Sequence, residues 1–156
     1  YRKKWLEMMK AKIGLFGECK DDEELINNLL LWMKDNNADY TNTFISLSKG
    51  LTIQNNSDFC ELRGLETWCK QWKTRLVKNR KSINESVSLM DMNNPQVIPR
   101  NHIVEATLLD ADHGNFEKLF ALLDILKHPY KNDPRLAPFQ EPPSPEQRVN
   151  ETFCGT

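Results

Sequence analysis

What this chain has least of is net charge: 21 lysines and arginines stand against 22 aspartates and glutamates, leaving −1. A balance that close removes the broad electrostatic pull on which nucleic-acid and anionic-membrane binders rely. Long apolar runs are missing too. None approaches the roughly 18 residues of a membrane-spanning helix, and the start shows no signal-peptide pattern. Glycine is scarce: the six in the chain form no phosphate-cradling loop, and no Asp-Phe-Gly occurs. The four cysteines (Cys19, Cys60, Cys69, Cys154) make no CxxC and keep no regular spacing. A disulfide framework or zinc site is therefore not expected, and a reducing compartment fits better.

What is present is helical punctuation. At 156 residues the chain is one domain or part of one, able to bury roughly two-thirds of its unfolded surface. Tyr1 is no initiator residue, so polypeptide is expected to precede it. Trp5, Leu6, Met8, Met9 and Ile13 share a helical face up to a stop at Gly14, with Lys3, Lys4, Lys10 and Lys12 elsewhere on the surface. Asp21 or Asp22 can cap a second helix, broad-faced through Leu25, Ile26, Leu29, Leu30, Trp32 and Met33, which Asn36-Asn37 closes. Asp39 can cap a short third helix bearing Tyr40, Phe44 and Leu47, and Lys49 to Ser57 reads as a surface loop. A longer helix is predicted from about Asp58, with Phe59, Leu62, Leu65, Trp68, Cys69, Trp72 and Leu76 at helical intervals. Ser82-Ile83-Asn84-Glu85 matches a capping box and starts the next one.

The sharpest break follows. Pro95 and Pro99 each lack an N–H and crowd the preceding turn, so no single helix runs through both. Ile98 is pushed towards an extended backbone, and Pro99 is the expected first residue of the helix beyond. Arg100 then falls in a first turn, where the helix dipole disfavours its charge unless it has a partner. Arg100 and Asn101 either pin this joint to another part of a larger protein or are a solvated pair beside an ordinary turn. A helix to Gly114 and a second from Asn115 to Leu126 make an antiparallel hairpin stopped by Pro129. Six of the eight prolines lie between Pro129 and Pro145. Hydrophobic periodicity vanishes there, giving a disordered or extended tail. The expectation is an all-α bundle-like domain over residues 1–128 and a proline-rich tail over residues 129–156.

Several patterns that could carry chemistry have a plainer reading. Trp68 and Trp72 among lysines could stack bases, yet four residues apart on an apolar stripe they suit a core. Thr41 and Thr43 lack a general base within their segment, so capping and packing serve better than nucleophilic attack. Asp110-Ala111-Asp112-His113, with His102 and His128 in the neighbourhood, has the look of a metal cluster, but helical spacing points these side chains apart. No metal site is expected.

Read together, the segments resemble the C-terminal region of the selenoprotein O (SelO) family. Leu25-Ile26-Asn27-Asn28-Leu29-Leu30 and Asp39-Tyr40-Thr41-Asn42-Thr43-Phe44 are similar to that family's helix and following motif. Trp68 and Trp72, Asn94-Pro95 leading to Arg100-Asn101, His128-Pro129-Tyr130 and Pro142-Pro143 follow in the family's order. The likeness covers nearly the whole chain. Pro99 stands where many members have leucine, and Phe153-Cys154-Gly155-Thr156 resembles a bacterial branch ending in those four residues.

The resemblance implies a kinase-like parent enzyme that binds ATP with Mg²⁺ and transfers AMP to protein hydroxyls. The nucleotide and metal residues of that family lie upstream, so this chain would hold no cofactor and not catalyse alone. It would be a helical scaffold beside the kinase-like lobe, its partners being that lobe and, for the parent, protein substrates. Arg100 and Asn101 would meet the lobe, and Cys154 would return to a cysteine near the active site as a redox restraint. A cytoplasmic location in a bacterium fits, with a mitochondrial one as the alternative. The competing reading is a free-standing helical interaction module with no enzyme attached.

Overall fold

The structure, a computed structural model, describes residues 1–52 and 62–147. Among these residues there are α-helices and short 3₁₀ turns and no strand, as the periodicity predicts. No helix among them is long and apolar enough to cross a membrane. They fall into two compact units, Tyr1–Pro95 and Gln96–Thr156, the second described as far as residue 147. The division lies between the two prolines of the joint.

The first unit holds α1 (Arg2–Lys12), α2 (Asp22–Asp35), α3 (Tyr40–Thr52), α4 (Glu66–Val77) and α5 (Ile83–Asn93). Here α1 packs on α2 and α5, α3 packs on α5, and α2 packs on α4. Their shared core includes Met9, Ile13, Ile26, Leu29, Phe44, Leu65, Trp68, Trp72, Leu76 and Met90. Trp68 and Trp72 stack at 5.3 Å between ring centroids, so the pair is core, as its spacing predicts. Such a ring pair adds about 0.5–1.5 kcal/mol beyond area burial.

Helix ends follow the sequence signals closely in places. Ser82 caps α5 through the full reciprocal box: Glu85 N–H donates to Ser82 Oγ at 3.2 Å, and Ser82 N–H to Glu85 Oε2 at 2.9 Å. Asp39 Oδ1 accepts from Asn42 N–H at 2.8 Å and so caps α3. Asn37 takes a left-handed φ of 49° at the exit of α2, and Ala38 N–H reaches back to Met33 O at 2.9 Å.

Elsewhere the structure differs. The helix expected from about Asp58 begins at Glu66, because Gly64 at φ +82° breaks the run; residues 58–61 lie outside the described set. Lys49 to Thr52, expected as the start of a loop, are helical as the end of α3; residues 53–57 also lie outside. Lys10, expected on the surface, is buried: its Nζ donates to Gly17 O and lies 3.9 Å from Asp22 Oδ2.

The second unit holds α6 (Asn101–Asp112), α7 (Glu117–Leu126) and α8 (Ala137–Gln140), with 3₁₀ turns at Pro134–Leu136 and Pro145–Gln147. Pro99 does not open α6. Arg100 is still extended at φ −97°, ψ 131° and acts as the N-cap residue, so the helix starts at Asn101. The hairpin turns at Gly114, and Asn115 Oδ1 accepts from Glu117 N–H at 3.2 Å at the entry to α7. Part of the proline-rich stretch is helical rather than extended. Asp133 Oδ1 accepts from Arg135 N–H at 2.9 Å, proline occupies the first turn, and Leu136 is buried with Val97 and Ile125. Composition alone misses this, since one leucine and Phe139 suffice to fasten a short segment to a small core.

Candidate functional site

Four of the residues that carry the family resemblance, Tyr40, Phe44, Trp72 and Asn94, meet at the end of α1. A helix leaves its last carbonyls without intrahelical partners, and burying them unpaired would be costly. Three consecutive carbonyls here accept from side chains far along the chain. Asn94 Nδ2 donates to Lys12 O, Trp72 Nε1 to Ile13 O and Asn79 Nδ2 to Gly14 O, each at 2.8 Å. Lys12 completes the knot, its Nζ donating to Asn93 O at 3.0 Å and to Asn94 Oδ1 at 3.3 Å. That ammonium therefore sits at the C-terminal end of α5, where the dipole favours a cation. It also lies 5.7 and 5.1 Å from the ring centroids of Tyr40 and Phe44, and its burial lowers its pKa. Trp68 Nε1 meanwhile donates to Leu25 O at 2.8 Å, fastening α4 to α2.

Beside this knot lies a buried ion pair that spacing did not announce. Asp22 is 1 % exposed and accepts from Arg75 Nε at 2.6 Å and Nη2 at 3.1 Å. Arg75 also donates to Asn79 Oδ1 at 2.8 Å and Phe16 O at 2.9 Å, while Cys19 N–H donates to Asp22 Oδ2 at 3.0 Å. Asn79 reaches on to Ser86 Oγ at 3.1 Å. A groove of about 300 Å³ opens next to the pair, lined by Cys19, Glu24, Asn28, Gln71, Thr74 and Lys78 among others. With its carboxylate held by Arg75 and the Cys19 N–H, Asp22 clamps α2 to α4. The basic end of α4 conceals the signal: Arg75 and Asn79 fall three and seven residues after Trp72, on the stripe that faces inward.

Of the residues singled out from sequence, Arg100 and Asn101 fall at the entry to α6. Arg100 is 7 % exposed, so it is not a solvated arginine, while Asn101 beside it is exposed. The joint is braced within its own unit: Gln96 N–H donates to Pro129 O at 2.6 Å and Gln140 Nε2 to Gln96 O at 2.7 Å. Cys154 lies outside the described residues, as does Cys60. Cys19 is a free, partly buried thiol, and Cys69 is buried in the core of the first unit.

Thr43 is buried and its Oγ1 donates to Asp39 O at 2.7 Å, a bond of the α3 entry. Asp110 pairs with Lys118 at 2.6 Å, and His113 Nδ1 lies 2.7 Å from Leu109 O. Among the described residues no group of three His, Cys, Asp or Glu could hold a metal ion.

Fold and motif geometry together define an all-helical module whose signature residues tie helices to one another. The model of the family described as Protein adenylyltransferase SelO matches residues 1–127, and this chain belongs to that family. Among curated relatives, the protein nucleotidyltransferase YdiU of Nitrosococcus oceani is 43 % identical over 157 residues, covering 100 % of this chain and 31 % of that protein. Its namesakes from Pelagibacter ubique and Bacillus cereus are 42 % and 41 % identical, each over 100 % of this chain and 32 % of their own length. The chain spans about a third of the length of these relatives.

Proposed function

We propose that this chain is the C-terminal helical scaffold of a SelO-like protein adenylyltransferase, an enzyme that moves AMP from ATP to protein Ser, Thr or Tyr hydroxyls. The observation that carries the reading is the family match over residues 1–127 combined with full coverage of this chain by relatives three times as long. ATP and Mg²⁺ do not fit the described residues. These offer no metal-type cluster, and Gly14, Gly17, Gly64 and Gly114 stand singly at turns. No step of AMP transfer is therefore assigned to them; the nucleotide belongs to a kinase-like lobe upstream.

The scaffold role is supported by the braced joint. Bonds from Gln96 to Pro129 and from Gln140 to Gln96 hold the start of α6, where Asn101 is exposed and Arg100 sets the helix entry. Arg100 and Asn101 form the contact with the upstream lobe in this reading. Cys154 is read as a regulatory thiol: a small-molecule disulfide oxidises it and a cysteine near the active site to one protein disulfide, itself being reduced to two thiols.

The experiment is expression of the complete gene product and of residues 1–156 alone, each incubated with Mg²⁺ and ATP labelled at the α-phosphate. Labelled protein is expected with the complete product only. Labelling by the 156 residues alone, or none by the complete product, would overturn the reading. Peptide mass spectrometry of the oxidised complete product tests the thiol, and Cys154 recovered only as free thiol would remove it from the scheme.

A further inference from the structure

The second face of α7 is left uncovered by the rest of its own unit as far as residue 147. Its sequence, Glu117-Lys118-Leu119-Phe120-Ala121-Leu122-Leu123-Asp124-Ile125-Leu126, carries three charged residues in ten. Leu122 and Ile125 are buried on one side, with Ile125 in the core of its unit. Phe116, Phe120 and Leu123 recur at i, i+4 and i+7 on the opposite side, and Phe120 is 66 % exposed. The Phe116 and Phe120 rings lie 6.2 Å apart between centroids. A helix apolar on both sides is one built for an interior and not for a surface.

We propose that the Phe116–Phe120–Leu123 stripe is the docking face for the rest of the longer polypeptide, an apolar surface of the part that relatives carry beyond this stretch. The proposal rests on this chain being part of a longer protein, and not on what that protein catalyses. Two observations choose the occupant. The relatives hold about two-thirds of their length outside the aligned stretch, and the family match takes in all of α7. The stripe is also made of phenylalanine and leucine, without the tyrosine, tryptophan or arginine that anchor most separable interfaces, so it resembles a core cut in two.

The test is hydroxyl-radical footprinting of the complete gene product, read residue by residue by mass spectrometry across a dilution series. Sedimentation establishes the concentrations at which it is monomeric. In the monomer, Phe116 and Phe120 are expected to label roughly tenfold more slowly than free phenylalanine, as buried side chains do. Labelling near the free rate would overturn the proposal, as would protection that vanishes on dilution, which would mean a second copy covers the face. A gene product ending with these 156 residues and starting at Tyr1 would overturn it as well. Assaying AMP transfer on the same preparation separates the two readings: protection without transfer sinks the proposed activity alone, and transfer without protection sinks the docking face alone.

Discussion

Asp22 and Arg75 form a pair whose value is seen most plainly by removing one member. In Asp22→Ala the guanidinium stays buried beside apolar helices with its carboxylate gone. The expected loss is about 3–5 kcal/mol, a large share of the roughly 5–15 kcal/mol that holds a domain together. Urea unfolding of the variant measures it, and a change within about 0.5 kcal/mol, the size typical of ordinary surface sites, would contradict the clamp. Trp72→Phe is a finer probe. It keeps most of the ring but strips the donor from Ile13 O, for an expected loss of about 1–3 kcal/mol in the same experiment.

At the scale of elements, the turn after α1 depends on one glycine. Gly14 sits at φ +70°, and a Cβ there would stand 3.0 Å from Ser86 O and 3.2 Å from Met90 Sδ. Gly14→Ala therefore combines left-handed strain with a clash against α5, and a loss of roughly 1–3 kcal/mol is expected from thermal unfolding. The start of α5 makes a pH prediction. Lys81, with the Ser82 N–H and hydroxyl, pulls the Glu85 carboxyl down to about 2. A depressed carboxyl contributes stability that is complete above its ordinary value and fades as pH falls towards the folded one. The cap should accordingly weaken between the ordinary value of 4.5 and about 2, followed by NMR titration of Glu85 and of the α5 amides. A midpoint near 4.5 would show the box open in solution.

How much of this was legible follows from which forces act locally. The Ser82–Glu85 box, the Asn37 exit and the Asp39 cap were readable because each is decided by residues three or four apart. The buried state of Lys10 and Arg75 was not, because both look like surface cations until a carboxylate from another helix is placed beside them. Asn79 and Asn94 were hidden for a related reason: their partners are the carbonyls of Gly14 and Lys12, 65 and 82 residues back. The short helix at Ala137–Gln140 escaped because its prolines mask the one buried leucine that precedes it. Of the candidate site, the motif residues were visible as a set, but that Trp72 and Asn94 fill the vacant acceptors of α1 appears only when the helices meet.

For the molecule as a whole, the exposed stripe on α7 has a consequence for handling. Residues 1–156 taken alone should associate as concentration rises, because apolar side chains without cover find one another. Light scattering of dilute and concentrated samples should show this, and Phe120→Asp should suppress it without lowering helix content by circular dichroism. An unchanged scattering profile in the variant would place the sticky surface elsewhere, with the exposed Leu108 and Leu109 of α6 the next to examine.

The knot at Lys12 also sets a schedule for birth. A ribosome delivers the chain from its front, yet the carbonyl of residue 12 receives its donor only when Asn94 has been made. At about 5–20 residues per second, α1 waits some 4–16 s for the 82 further residues that close the ring. Any message cut short before that asparagine yields a first helix whose Lys12 carbonyl lacks its donor from Asn94.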